Sequence, residues 1–198
     1  MSSQIDLFGA SDEPADRAPG LPEGFRYAGE VISPATEREL VARLAPLPFR
    51  DFEFHGHTGK RRVVSYGWHY DFTSRSLRKA DDIPPFLLEL RNTAAIFAGL
   101  EPQSLQHVLV TEYAPGAGIG WHRDTSEFGD VVGVSLLAAC VFRFRRPLDV
   151  KRWERARRVL EPRSAYLLRG QSRVDWEHSI PPVQSLRYSI TFRNVRND

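Results

Sequence analysis

Apolar and polar positions along this chain follow a helical period in two stretches and alternate with a period of two in most of the others. The first helical stretch is Ser33-Pro-Ala-Thr-Glu-Arg-Glu-Leu-Val-Ala-Arg-Leu44. Ser33 suits the N-cap, Pro34 the first turn and Glu37 the positive end of the peptide dipoles, while Leu40, Val41 and Leu44 form one apolar stripe. The second runs from Pro85 to Ala98, with Leu87, Leu90, Ala94 and Phe97 on one face and Gly99 as terminator. Leu105 to Tyr113, Val131 to Phe144, Ser164 to Gly170 and Arg187 to Arg193 read as strands. Short strands separated by turns, with two helices confined to the N-terminal half, predict a mainly β protein with supporting helices, a double-stranded β-helix or jelly roll.

The last strand has two different faces. Tyr188, Ile190 and Phe192 lie on an apolar one, and Arg187, Ser189, Thr191 and Arg193 on the other. Two guanidiniums beside two hydroxyls are costly to bury unless an anion or carboxylate occupies the space between them; Arg193 at a solvated strand end is the alternative. A second chemical feature lies in Thr111-Glu-Tyr-Ala-Pro-Gly-Ala-Gly-Ile-Gly-Trp-His-Arg-Asp-Thr125. In an extended segment His122 and Asp124 point the same way and Arg123 oppositely. His178, in Trp176-Glu-His-Ser-Ile-Pro-Pro182, is the third ligand such a pair needs. Two histidines and one carboxylate on one face of an octahedral metal leave three positions open, the arrangement of non-haem Fe(II) oxygenases. The glycines at 116, 118 and 120 do not make a nucleotide loop, since no Lys-Ser/Thr or helix-opening pattern follows.

A length of 198 residues fits one domain with a sizeable core, and 41% hydrophobic with 26% charged residues is ordinary for a soluble protein. Cys140, the one cysteine, sits in the apolar run from Val131 to Phe142 and reads as a small core residue, compatible with the reducing cytoplasm where we expect the protein. No stretch approaches a membrane span, and the start has no basic region followed by an apolar one. Net charge is only +2 but unevenly spread. Residues 143, 145, 146, 151, 152, 155, 157, 158, 163, 169 and 173 are eleven Lys or Arg, against three acids at 149, 154 and 161. Such a block is ordinarily a solvated face, but it also has the sign to steer a phosphate backbone.

H-x-D, a second His about fifty residues on, and R-x5-R beginning nine residues after that, preceded by Tyr-Ala-Pro-Gly-Ala-Gly, resemble the AlkB family of Fe(II)- and 2-oxoglutarate-dependent dioxygenases. The resemblance covers Phe25 to Val195 and implies the same jelly roll. It implies that His122, Asp124 and His178 hold iron, that Arg187 and Tyr113 bind the distal carboxylate of 2-oxoglutarate, and that Arg193 sits near its chelating end. Thr111 and Ser189 stand where Asn residues often contact the cosubstrate, and both keep a hydrogen-bonding hydroxyl. The implied reaction uses O2 to hydroxylate an N-methyl group on a base such as 1-methyladenine or 3-methylcytosine, which then sheds formaldehyde; the implied role is repair of alkylated DNA by a monomeric enzyme.

Lys60 to Phe72 is similar to the hairpin with which such enzymes cover the site, with Gly67 at its turn. There Arg61 and Arg62 would hold phosphates, while Tyr66, Trp68, His69 and Tyr70 offer flat faces to a base lifted from its stack; an aromatic hairpin that simply packs on the core is the alternative. His55 and His57 read as loop residues. Arg169 falls where a Trp can wall the base pocket, and Ser126, followed by Glu127, falls where an acidic residue often meets the base. Residues 1–20 read as a flexible tail ahead of a dioxygenase domain over 21–198. Within the tail Gln4-Ile5-Asp-Leu7-Phe8 looks like the short peptide that docks on the bacterial sliding clamp. Two rivals stay open: the same chemistry on RNA or a protein side chain, or a nucleic-acid-binding module in which His122, Asp124 and His178 hold structural zinc.

Overall fold

A computed structural model of the chain describes residues 20–54, 57–71 and 76–196. Gln4, Ile5, Leu7 and Phe8, with the rest of the expected tail up to residue 19, lie outside the described residues, as does His55. The order is β1 (Phe25–Ala28), α1 (Pro34–Leu44), β2 (Arg50–Phe54), β3 (His57–Tyr66), β4 (Trp68–Asp71), β5 (Ser76–Lys79), α2 (Leu88–Ala98), β6 (Leu105–Tyr113) and β7 (Ile119–His122). Then come β8 (Phe128–Leu136), β9 (Cys140–Pro147), β10 (Trp153–Leu160), β11 (Ala165–Leu168), α3 (Gln171–Val174), β12 (Glu177–Ile180) and β13 (Arg187–Val195).

Two antiparallel sheets carry the fold. The larger has the order β1-β11-β8-β13-β6-β3-β2 and the smaller β10-β9-β12-β7, with β4 and β5 pairing separately. Alternation along the strands divides the apolar residues into two cores. Tyr188, Ile190 and Phe192 of β13 join Leu40, Leu44, Leu87, Leu90 and Ala94 on the helical side of the large sheet. Tyr113, Phe142, Phe144, Tyr166, Leu168 and Ile180 fill the space between the sheets. Phe142 and Phe144 are at most 1% exposed, and each contributes about 1.5–3 kcal/mol by leaving water. Gly133 is needed opposite them: a Cβ there would stand 2.2 Å from the Tyr166 ring. This is the expected jelly roll, with helices on the outside of one sheet.

The Ser33 hydroxyl caps α1 by accepting from the Thr36 amide at 3.0 Å, and Gly99, at φ 65°, ends α2. Four expectations need correction. Pro85 to Leu87 form a 3-10 turn, and the α-helix proper begins at Leu88. The run from Val131 to Phe144 is two strands, separated where Leu137 takes a φ of 70°. Residues 60–72 are not one hairpin. Gly67, at φ 78° and so close to the Gln106 carbonyl that a Cβ would clash, passes the chain from β3 in the large sheet to β4 in the two-stranded one. β10 was expected only as a basic block, yet it is a strand, because its arginines at 155 and 157 occupy one face while Leu160 is buried. Among the described residues no helix is long and apolar enough to cross a membrane.

Candidate active site

The small sheet brings the two histidines together. β7 and β12 are antiparallel with His122 directly opposite His178, and the ring centroids stand 4.2 Å apart. β7 ends at His122, so Asp124 comes from the following loop and not from strand alternation; its Oδ2 faces His178 Nε2 at 3.7 Å. Arg123 turns away as expected, its Nη2 donating to the Asp175 carbonyl. The His122 Nδ1 lies 3.0 Å from the Gly120 carbonyl, which can only accept, so Nδ1 carries the proton and Nε2 keeps its lone pair.

Arg193 enters from the large sheet. Its Nε and Nη2 donate to Asp124 Oδ1 at 3.1 and 2.7 Å, and its Nη1 lies 3.3 Å from His107 Nδ1. Burial opposes the charged form of Asp124, but Arg193, then His178, His122 and Arg173, outweigh it and hold the carboxyl far below the ordinary carboxylate range. Burial drives both imidazoles the other way, pushing His178 down to about 3 and lowering His122. The site therefore presents two neutral imidazoles and one carboxylate, the protonation that divalent metal binding demands.

Arg187 is wholly buried on the same face of β13. Its Nε donates to Ser135 Oγ at 3.1 Å, and its guanidinium carbon stands 5.1 Å from the centre of the Tyr113 ring. Among the described residues Nη1 and Nη2 make no well-formed hydrogen bond, although the Tyr113 hydroxyl is near enough to feel the guanidinium. A buried guanidinium left with free donors is expensive, and a carboxylate is the group whose geometry matches it. Register lines up further donors beside it: Ser189 is opposite Thr111 on one side and opposite Ser135 on the other, and all three are buried.

The substrate-facing residues divide. Arg61 is opposite Tyr113 and on its face, packed 3.8 Å over the Phe52 ring, and its charge helps to lower the His122 pKa. Arg62 faces the helical side, bonded to Glu112 at 2.7 and 2.8 Å, and Tyr66 is buried in the helical-side core, so neither meets the site. The reason is the period of two, which places 62 and 66 together and 61 apart. Trp68 and Tyr70 share a face of β4, opposite Lys79 and Leu77 of β5, in the strand pair that packs on β6. Arg169 is tied to Asp130 at 2.6 and 2.8 Å and donates to the Ala98 carbonyl at the end of α2. The Ser126 hydroxyl lies 3.4 Å from Glu127 Oε2 in the loop after Asp124.

Three further residues shape the candidate site. Ser135 was hidden in an apolar run, and His107 shares the alternation of Thr111 and Tyr113 but belongs to no motif. Arg173, assigned to the basic block, instead donates to the carbonyls of Asp124, Thr125, Phe128 and Gly129, fixing the loop that carries Asp124.

Among the described residues no group of three or more His, Cys, Asp or Glu side chains, the His122, Asp124 and His178 set included, is already arranged so as to hold a metal ion. Arg193 occupies Asp124 Oδ1, and Oδ2 is turned toward His178. The donor chemistry nonetheless fits a divalent iron, and the unpaired Nη atoms of Arg187 fit a dicarboxylate. A jelly roll enclosing both defines a class, the oxygenases that couple a non-haem metal to an acidic cosubstrate.

Comparison with known proteins gives the family. Residues 24–193 match the family model of the 2OG-Fe(II) oxygenase superfamily. The alkylated DNA repair protein ALKBH8 homolog of Arabidopsis thaliana is 29% identical over 88% of this chain, and the mouse tRNA (carboxymethyluridine(34)-5-O)-methyltransferase ALKBH8 is 28% identical over 82%. The chain spans 59% and 25% of the lengths of those two proteins. The solved structure of OsALKBH1 shares the fold, with a TM-score of 0.65 at 17% identity over 86% of this chain and 96% of that one. The chain belongs to the 2-oxoglutarate- and Fe(II)-dependent oxygenase superfamily, in its AlkB family, and its cofactors are accordingly Fe(II), 2-oxoglutarate and O2.

Proposed function

We propose that His122, Asp124 and His178 hold the iron, that Arg187 and Tyr113 seat the distal carboxylate of 2-oxoglutarate, and that the protein removes N-linked methyl groups from nucleic-acid bases in alkylation repair. The substrates that suit this reading best are 1-methyladenine and 3-methylcytosine in DNA. The observation that carries it is Arg187, fully buried on the same face of β13 as the Arg193 that holds Asp124, with no well-formed hydrogen bond to either Nη among the described residues.

Held by these residues, iron and 2-oxoglutarate would supply the oxidising chemistry, O2 being reduced at the expense of 2-oxoglutarate, which would become succinate and CO2. The chain positions and protects. Arg193 fixes the orientation of Asp124, and the Gly120 carbonyl fixes the tautomer of His122. Thr111, Ser189 and Ser135 offer hydroxyls along the cosubstrate, and the aromatic core between the sheets excludes water. Arg61 sets a positive charge on the substrate side. Trp68 and Tyr70 offer flat faces to the extruded base, with base stacking worth about 1–3 kcal/mol.

The name of the mouse relative speaks for a second reading, the same oxidation on RNA. One experiment addresses both: formaldehyde release from oligonucleotides carrying one 1-methyladenine, as DNA and as RNA, with His122→Ala as control. Release from DNA, lost in the variant, is the expected result. Release from RNA alone would transfer the activity to the second reading, and release from neither would remove N-demethylation of this lesion.

A further inference from the structure

The outer face of the small sheet, opposite the metal set, carries a pattern that the oxidation does not use. Register sets Arg155 opposite Arg145 and Arg157 opposite Arg143, so β9 and β10 present four arginines in two like-charged pairs. Like charges directly across a strand pair are destabilising, which makes such a ladder costly on stability grounds alone. Two of the four are braced. Arg143 and Arg145 stack on Trp121 at 5.0 and 4.6 Å, and Arg145 also pairs with Glu177 at 2.6 Å. Arg155 and Arg157 are exposed and make no ion pair among the described residues. Trp153, 39% exposed, closes one end of the ladder over Arg145. A cleft of about 590 Å³ bounded by Tyr27, Arg157 and Arg158 closes the other.

We infer that this ladder, formed by Arg143, Arg145, Arg155 and Arg157 between Trp153 and the cleft at Tyr27, binds the phosphodiester backbone of a nucleic-acid strand outside the active site. The inference rests on the nucleic-acid reading above and adds a docking surface to it. All four cations are arginine, whose planar fork matches phosphate oxygens bidentately, and successive arginines on one strand stand about 6.8 Å apart, a regular spacing suited to a linear polyanion. The Trp121 ring lies among guanidiniums instead of projecting as a lipid anchor would. The ladder lies on β9 and β10, in the same sheet as the β12 strand of His178 but on its opposite face, so a strand bound there is held outside the site.

The test is binding of an unmethylated fluorescent single-stranded oligonucleotide to the full chain over a range of salt, with no iron present. In the double variant Arg155→Gln/Arg157→Gln the Kd should rise about tenfold, and the salt slope should fall by about 1.4, at about 0.7 for each phosphate no longer neutralised. Arg155→Lys/Arg157→Lys should keep the slope while losing part of the affinity. The melting temperature should be equal to or above that of the parent in the Gln variant, where the like-charged pairs are relieved, and unchanged in the Lys variant, and substrate-free 2-oxoglutarate turnover should be unchanged in both. Unaltered oligonucleotide binding by the Gln variant overturns the inference. So does loss of binding to phosphatidylserine vesicles with oligonucleotide binding intact, which would reassign the face to a membrane. No oxidation enters the assay, so a failure of demethylation leaves its result standing.

Discussion

Arg193 and Asp124 form a buried ion pair in which two guanidinium nitrogens converge on a single carboxylate oxygen, Oδ1, and leave Oδ2 turned toward His178. The arginine thereby decides which face of the carboxylate is available. Removing one partner of a buried pair costs about 3–5 kcal/mol, and loss of a residue that orients a metal ligand weakens the metal about 10–100-fold. Arg193→Leu should therefore lower both the melting temperature and the affinity for Fe(II), measured by calorimetric titration without oxygen. Unchanged iron affinity in a folded variant would separate Arg193 from the metal set.

Arg187 behaves oppositely toward stability. Its two Nη atoms make no well-formed hydrogen bond among the described residues, so Arg187→Met replaces a buried, half-satisfied cation with an apolar group of similar length. The expected melting temperature without 2-oxoglutarate is equal to or above that of the parent, and the stabilisation that 2-oxoglutarate normally adds should disappear. Thermal melts with and without the cosubstrate read both effects. Ser135→Ala, which removes only the acceptor of Nε, should weaken cosubstrate binding by about 1 kcal/mol.

Arg173 carries a prediction that distinguishes architecture from steering. Its guanidinium holds four main-chain carbonyls in the loop from Asp124 to Gly129, more than one ammonium can reach. Arg173→Lys keeps the charge but should still destabilise the fold by about 2–3 kcal/mol, since several buried carbonyls lose their donors. Denaturant melts measure this. A lysine variant as stable as the parent would return Arg173 to the basic surface.

The helical side of the large sheet has its own pH dependence. The Tyr188 hydroxyl donates to Glu112 Oε2 at 3.0 Å, and burial, followed by that bond and the Glu112 charge, pushes its pKa up to about 12. An unfolded tyrosine titrates near 10. Below pH 10 both states keep the proton and the contribution is complete. Between pH 10 and 12 the unfolded chain loses its proton first, so stability falls as pH rises, by an amount on the order of 2 kcal/mol. Stability of the parent and of Tyr188→Phe, compared across pH 9 to 12, should show a shallower decline in the variant.

The residues legible in the sequence are those whose position follows from local geometry. Alternation placed Arg187, Ser189 and Arg193 on one face of β13, opposite Tyr188, Ile190 and Phe192, and the structure keeps that division. The same rule, applied to β3, separates Arg61 from Arg62, but the aromatic and basic composition of that run drew attention to both. Ser135 and His107 acquire meaning only from register with β13 and from a bulge near its end, pairings spanning 52 and 86 residues. The sheet change at Gly67 depends on the Gln106 carbonyl, 39 residues away in sequence and invisible to any local pattern. Arg173 looked like part of a charged surface because its four acceptors are backbone atoms, which composition does not record.

The central claim is that the His122–Asp124–His178 set and Arg187 together run a 2-oxoglutarate-dependent oxidation. It is tested most directly by measuring succinate formed from 2-oxoglutarate in the parent, His178→Ala and Arg187→Met proteins, with Fe(II) and O2 each present or withheld. The parent should form succinate only when both are present. His178→Ala should form none, and Arg187→Met should form it with a KM for 2-oxoglutarate raised at least about thirtyfold, the 2 kcal/mol or more that a buried guanidinium–carboxylate pair contributes. Succinate from His178→Ala at the parent rate, or an unchanged KM in Arg187→Met, would contradict the account.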